Sequence, residues 1–303
     1  MKALCFGSLN IDYTYKVPHF VIKGETLSSD DLLVFPGGKG LNQSVALSKS
    51  GVETYHAGCI GNEGLFLIET LINAGIQTDF VSVLENVKSG HAIIQSQKDG
   101  DNCILLYGGA NQQITKKQID EVLSHFHKED YLVLQNEINN MEYLINTAHS
   151  KGLKIVLTPA PMTDAVFNYP LKYIDYLLLN KGEASALLHT QLTEENFMSK
   201  DSIQKIGVLF SKQLPKATVV LTLGEKGAIC FTKESYFVQK AYSVSVVDTT
   251  AAGDTFAGFF IGSVMLGKTI VQALDIASKA ASLSVTRLGA SISIPSIEEV
   301  LKF

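Results

Sequence analysis

Asp248-Thr249-Thr250-Ala251-Ala252-Gly253-Asp254-Thr255-Phe256 lies between a strand-like segment, Tyr242 to Val247, and two long apolar helical patterns, around Phe256 to Leu266 and Ile270 to Val285. A strand ends, small residues follow, and a helix begins near Gly253. The first turn of a helix carries free backbone N–H groups and the positive end of the macrodipole. Ala251, Ala252 and Gly253 have little or no side chain to hold an anion off, so their amides can approach phosphate-like oxygens closely. Asp254 fits two roles: a helix-capping carboxylate, or an acceptor for the proton of a bound hydroxyl. Spacing alone leaves both open.

Working outward, short apolar runs alternate with helical patterns. Ala3 to Phe6, Tyr131 to Leu134, Lys154 to Leu157, Tyr176 to Leu179 and Thr218 to Leu223 have the character of buried strands. Leu41 to Ser50, Phe66 to Ala74 and Met141 to Ser150 have helical periodicity, and Gly51, Gly75 and Lys151-Gly152 stop them. This alternation predicts an α/β layer fold with a mainly parallel sheet. Two segments break the rhythm. Asp12 to Phe35 alternates polar and apolar residues, and Gly90 to Tyr107 is a hairpin pattern around Lys98-Asp99-Gly100-Asp101. Both fit antiparallel strands projecting from the main sheet, either as a small lid or as ordinary edge strands. No repeat or interdomain linker is visible, so residues 1–303 are expected to form a single domain.

The 303 residues are 46% hydrophobic and 18% charged, which suits a globular chain with a large core. The formal net charge of −5 argues against a nucleic-acid partner. Cys5, Cys59, Cys103 and Cys230 form no CxxC pair, so free thiols in a reducing compartment are expected. Met1 to Gly7 reads as a strand that starts at once, with no signal peptide. Thr255 to Leu266, the longest apolar stretch, is too short to span a bilayer, so no membrane partner and a cytoplasmic location are expected. GxxxxGK[ST], a GxGxxG after the first strand, HExxH and GxSxG are all absent. Walker-type nucleotide binding, Rossmann dehydrogenase, zinc protease and serine hydrolase readings therefore have no support.

At Asp248–Phe256, at Phe35-Pro-Gly-Gly-Lys-Gly-Leu-Asn-Gln43 and at Gly7-Ser-Leu-Asn-Ile-Asp12 the chain resembles the ribokinases, within the PfkB-type carbohydrate kinases. The resemblance spans nearly the whole chain. It implies a three-layer ribokinase-like fold with a small β-strand lid, formed by inserted segments at about 12–35 and 90–107 and often used for homodimerisation. It further implies transfer of the ATP γ-phosphate to the primary hydroxyl of a small sugar, D-ribose first. Deoxyribose, fructose or a nucleoside are the alternative acceptors, and a non-catalytic sugar-binding regulator is the alternative from another class.

By the same resemblance Asp254 is the general base, and the amides of Ala251, Ala252 and Gly253 form the anion hole. Asn10, Asp12, Gly38, Lys39, Gly40, Asn42 and Glu137 would hold the sugar, where acceptor-only carboxylates and an amide that donates and accepts suit a polyol. Asn180-Lys-Gly-Glu183 matches an NxxE element, which implies Asn180 near the phosphates and Glu183 helping to hold Mg²⁺ through water in the octahedral shell that this ion prefers. Thr222, Gly224 and Gly227 match an ATP-binding turn, and Ser278 lies near the implied adenine pocket. Asp248, Thr250, Ser284, Arg287, Gly289 and Ser293 match a monovalent-cation loop that would take K⁺. The chain departs from the family pattern at Leu41 and Asn62, which bear on sugar preference, and at Thr158 and Lys181-Gly182, which bear on nucleotide affinity.

Overall fold

The computed structural model describes residues 1–97 and 101–303. The strands are β1 (Ala3–Phe6), β2 (Asn10–Lys16), β3 (Asp31–Gly37), β4 (Thr54–Gly61), β5 (Gln77–Leu84), β6 (Gly90–Ser96), β7 (Asn102–Tyr107), β8 (Tyr131–Gln135), β9 (Lys154–Thr158), β10 (Tyr176–Asn180), β11 (Thr218–Thr222), β12 (Ala228–Phe231) and β13 (Tyr236–Gln239). The helices are α1 (Lys39–Lys49), α2 (Leu65–Asn73), α3 (Lys116–Ser124), α4 (Met141–Lys151), α5 (Lys181–Leu187), α6 (Lys200–Gln213), α7 (Ala252–Met265), α8 (Ile270–Ser284) and α9 (Ile297–Lys302).

Nine strands form the main sheet in the order β13-β12-β11-β10-β9-β8-β1-β4-β5. All its pairings are parallel except β11 with β12 and β12 with β13. Strand alternation divides its side chains between two cores. Leu4, Phe6, Leu132, Leu134, Ile155 and Leu157 point to one core, which α3, α4 and α6 cover. Ala3, Cys5, Tyr131, Val133 and Val156 point to the other, covered by α1, α2, α7 and α8. A sheet buried on both faces reads as continuous apolar runs rather than alternation, which is how these strands appear in the sequence. The expected three-layer α/β architecture is therefore observed.

A second sheet, β3-β2-β6-β7, draws on the two irregular segments. β2 runs antiparallel to β3 and parallel to β6, and β6 and β7 are antiparallel arms paired from His91↔Tyr107 to Ser96↔Asn102. The turn residues Lys98, Asp99 and Gly100 lie outside the described residues.

The expected strand at Tyr242 to Val247 is not one. Among the described residues the segment pairs with no strand; Val247 N and Asp248 N donate to Val285 O at 2.8 and 3.2 Å, beyond the end of α8. Its alternation reflects an exposed strap along α8, with Val246 and Val247 63% and 56% exposed.

Helices α1 and α7 approach closely because Gly258 has no side chain. A Cβ there would stand 2.3 Å from Ala46 Cβ and 2.9 Å from the α1 backbone. Gly258→Ala is expected to cost about 1–3 kcal/mol through overpacking. Urea unfolding measures it, and an unchanged midpoint would show that the two helices part without strain.

Candidate functional site

The site begins where β1 ends. The chain leaves the main sheet through Gly7-Ser8-Leu9 and enters the second sheet at Asn10, so Asn10 and Asp12 stand at the junction of the two. The register Asn10↔Gly37 brings Gly38 and the start of α1 to the same place. Gly40 must be glycine, since a Cβ would lie 2.4 Å from Ser8 N and 2.6 Å from the Gly7 carbonyl carbon. Gly38 supplies no capping side chain to α1. Instead Lys39 N donates to Glu137 Oε2 at 3.0 Å, Gly40 N to Ser8 Oγ at 3.2 Å and Leu41 N to Ser8 O at 3.0 Å. Ser8 Oγ also donates to Glu137 Oε2. Free N–H groups of a helix end are thus satisfied from two other elements, and a carboxylate faces the positive end of the helix dipole. Asn10 is held by Asn111, whose Nδ2 donates to Asn10 Oδ1 at 2.7 Å.

Asp254 sits in the first turn of α7, 9% exposed. Asn42 Nδ2 donates to its Oδ2 at 3.2 Å and Gln43 Nε2 to its Oδ1 at 3.0 Å. Asn42 Oδ1 is buried with no partner, a free acceptor beside the carboxylate. Burial pushes the Asp254 carboxyl above the usual carboxylate range, against the pull of Lys39 and the two amides. Lys39 is held above its ordinary value, chiefly by Asp254. Burial and the neighbouring Glu137 push Asp12 up to about 7, with Lys39 opposing. Burial raises Glu137 and Glu183 likewise.

The turn into α7 passes through Ala251 at φ 60° and ψ 10°, a left-handed conformation uncommon outside glycine. Ala252 N donates back to Thr249 O at 3.2 Å within the turn. Among the described residues no hydrogen bond engages Ala251 N or Gly253 N, and Ala251, Ala252 and Gly253 all line the cleft. At Gly253 a Cβ would meet nothing within 4 Å, so the space beside its backbone is open. One cleft gathers Lys39, Asn180, Glu183, Thr222, Gly253 and Asp254. Thr158 Oγ1, buried and unpartnered, lines it too.

Asn180 and Glu183 form a reciprocal cap on α5: Glu183 N donates to Asn180 Oδ1 at 2.9 Å and Asn180 N to Glu183 Oε2 at 2.8 Å. Beyond the cleft a groove of about 790 Å³ is lined by Thr222, Gly224, Gly227, Ser278 and the strap residues Tyr242 and Val244. Gly224 and Gly227, at φ 59° and 98°, make the β11–β12 hairpin turn, a conformation glycine adopts without strain. Ser278 Oγ is buried and unpartnered on the wall of the groove.

In the predicted cation loop, Asp248 Oδ1 accepts from Thr250 N (2.9 Å) and Thr250 Oγ1 (2.6 Å), and Asp248 Oδ2 accepts from Gly289 N (2.9 Å). Burial opposes the Asp248 charge, but these bonds outweigh it and hold the carboxyl below its usual range. Ser284 Oγ donates to Ala281 O and Ser293 Oγ to Ala290 O, and Arg287 pairs with Glu299.

Ser8, Gln43, Gln135 and Asn111 carry no role in the sequence reading yet complete the geometry. Gln43 and Ser8 lie inside the quoted motifs, while Gln135 is visible only as the residue after a buried strand. Of the departures, Leu41 is fully buried in the core and does not face the sugar position. Asn62 is exposed at the end of β4.

A cleft joining helix N-termini, carboxylates and a long groove at the C-terminal ends of parallel strands defines a phosphotransferase of the α/β class. Residues 1–297 match the family model described as "pfkB family carbohydrate kinase", and the chain belongs to that family. The chain is 33% identical to a ribokinase of Haemophilus influenzae, over 98% of this chain and 96% of that protein. It is 30% identical to a deoxyribokinase of Salmonella typhi, covering 99% and 97%. The structure of Arabidopsis thaliana ribokinase complexed with ribose and ATP superposes with a TM-score of 0.83 at 29% identity, covering 99% and 97% of the two chains. The protein is a carbohydrate kinase. Among the described residues no helix is long and apolar enough to cross a membrane.

Gly253→Ala is expected to keep or raise stability, by up to about 1 kcal/mol for Gly to Ala in a helix. The added methyl would stand in the cradle and lower kcat/KM for the phosphoryl donor by about tenfold or more. Steady-state kinetics beside a melting curve check both, and unimpaired kinetics would place the anion elsewhere.

Proposed function

We propose that this kinase transfers the γ-phosphate of ATP to the primary hydroxyl of D-ribose, giving D-ribose 5-phosphate. The observation that carries this is the placing of Asp254: one buried carboxylate accepts from Asn42 and lines the same cleft as Lys39 and the open space at Gly253. A hydroxyl held by Asp12, Asn10, Asn42 and the backbone at Gly38 and Gly40 would point at Asp254. Asp254 takes its proton as the oxygen attacks the γ-phosphorus, and the amides of Ala251 and Gly253 receive the developing charge. The groove past Thr222 and Gly224 to Ser278 suits the nucleotide.

Glu183, a half-buried carboxylate in the cleft, has the donor chemistry for Mg²⁺, which would neutralise charge on the phosphates. The loop of Asp248, Thr250 and Gly289, with Ser291 Oγ buried and unpartnered beside Ser293, fits a monovalent cation such as K⁺, whose contribution would be to order the turn into α7. We read the second sheet as a lid that excludes water on closing. Its outer face carries Val34, Ile93, Leu105 and Tyr107, all exposed, and a second copy of the chain would cover them. A cytoplasmic setting accords with four free cysteines.

ADP release measured with D-ribose, 2-deoxyribose, fructose and nucleosides tests the acceptor. Highest kcat/KM with D-ribose is expected. The Salmonella relative makes 2-deoxyribose the second candidate, and a preference for it would move the error to the sugar pocket. K⁺ is expected to raise kcat over Na⁺, and equal rates would remove the cation role. Asp254→Asn should lower kcat by roughly 10²- to 10⁴-fold with the fold intact; near-normal turnover would end the base assignment. Leu105→Asp should give monomers in sedimentation, and an unchanged mass would place any dimer interface elsewhere.

A further inference from the structure

Beneath Asp254 lies a chain of buried amides. Gln135, at the end of β8, donates from Nε2 to Gln43 Oε1 at 2.7 Å, and Gln43 donates from Nε2 to Asp254 Oδ1 at 3.0 Å. The two glutamines are 1% and 0% exposed, and Gln135 Oε1 has no partner among the described residues. A primary amide has a donor end and an acceptor end. Once Gln135 occupies the oxygen of Gln43, the nitrogen of Gln43 must face the carboxylate. Reversing Gln135 would set carbonyl oxygen against carbonyl oxygen, and its Nε2 would also lose its contact with Cys5 Sγ at 3.5 Å. Gly7 leaves room for this arrangement, since a Cβ there would lie 2.3 Å from Gln135 Oε1.

We propose that Gln135 and Gln43 form a positioning relay that pins Oδ1 of Asp254 and leaves Oδ2 as the oxygen that receives the substrate proton. The inference rests on Asp254 being the base. In the step itself the substrate O–H bond breaks and its proton passes to Oδ2. The O–P bond forms, and the bond from the γ-phosphorus to the bridging oxygen breaks to release ADP. Asn42 also donates to Oδ2, at 3.2 Å, but a carboxylate oxygen has a second lone pair for the incoming hydroxyl. Neither glutamine touches the reacting atoms; both act through Asp254.

The electrostatic setting makes the relay measurable. Lys39 favours the Asp254 charge, whereas Glu137 and Glu183, from other elements, oppose it, and Asp12 reaches it only by way of Lys39. Burial pushes the Cys5 thiol up to about 11, so it stays neutral. Burial already favours protonated Asp254, and the Gln43 bond stabilises only the ionised form against it. Removing that donor raises the Asp254 pKa, so activity, present above that pKa and lost as pH falls through it, disappears at a higher pH.

The test is kcat against pH, at saturating sugar and Mg-ATP, for wild type, Gln43→Met, Gln135→Met and Asp254→Asn, with a melting temperature for each. Gln43→Met is expected to move the acid limb up by about one pH unit. Its plateau should fall about tenfold as the carboxylate loosens. Gln135→Met should shift both in the same direction by less, because Gln43 remains but its amide can turn. A packing role alone would lower both melting temperatures and leave the limb in place; that result, with Asp254→Asn inactive, overturns the relay and spares the base. An active Asp254→Asn overturns both together. Should Gln43→Met not fold, Gln135→Met carries the test. A carboxyl-carbon NMR titration of Asp254 reads the same shift without turnover, and an unmoved titration counts against the relay.

Discussion

The close packing of α1 against α7 is the constraint on which the rest of the site depends. Each helix brings its N-terminus to the same cleft, one carrying Lys39, Asn42 and Gln43, the other Ala252, Gly253 and Asp254. Two positive helix ends so near each other need negative partners. For α1 that partner is Glu137, reaching from beyond β8 to Lys39 N with Ser8 beside it. For α7 it is Asp254 itself, together with space for an anion at Gly253. The approach is possible because Gly258 meets Ala46 without a side chain between them. Buried Asn42 and Gln43 can then reach across to a carboxylate more than two hundred positions later in the chain.

That packing concentrates charge where water is scarce. Asp12, Glu137, Glu183 and Asp254 all lie above their ordinary pKa values, and burial is the first cause of each. Lys39 is the cation that three of them share with Asp254 as its main partner. Such a cluster would repel an incoming polyphosphate unless its charge were offset by fixed donors and a cation. The free amides at Ala251 and Gly253 are donors that need no reorganisation when charge develops. Amide bonds to Asp254 serve the opposite end of the same problem, favouring the ionised form of a carboxylate whose burial favours the neutral one.

How far the fold was legible depends on what each element packs against. β1, β8, β9 and β10 are buried on both faces, so their apolar runs stand out and their limits agree within a residue of the sequence expectation. Tyr242–Val247 has a similar composition but no neighbouring strand, and nothing local distinguishes a strap over a helix from a strand in a sheet. The chemical site divides the same way. Asp254, Asn42, Gly253 and Asp12 lie in motifs whose spacing carries meaning. Gln135 and Asn111 act through long-range bonds from strand and turn ends, and contact between Gln135 and Gln43 exists only once β8 is placed beside β1. The bond from Ala252 N to Thr249 O is likewise not visible in the spacing, because it depends on the left-handed turn at Ala251.

The substitutions that set this chain apart from its family pattern point to where acceptor choice resides. Leu41 stands within the sugar motif, yet it is wholly buried with Leu9, Val45 and the α7 phenylalanines, so its size is matched to the core. Asn62 is solvent-exposed and bonds nothing in the cleft among the described contacts. What does share a face with Asp12 follows from the registers Asp12↔Phe35, Asp12↔Ala92 and Ala92↔Leu106. Residues paired in register project to the same side of a sheet. Phe35, Ala92 and Leu106 therefore form an apolar surface around a single carboxylate. A sugar hydroxyl meeting Asp12 gains a strong acceptor, whereas one meeting that surface loses its water without replacement. On the proposed sugar site, discrimination between acceptors differing by one hydroxyl would arise in the second sheet and at Asn42, and not from the bulk of Leu41.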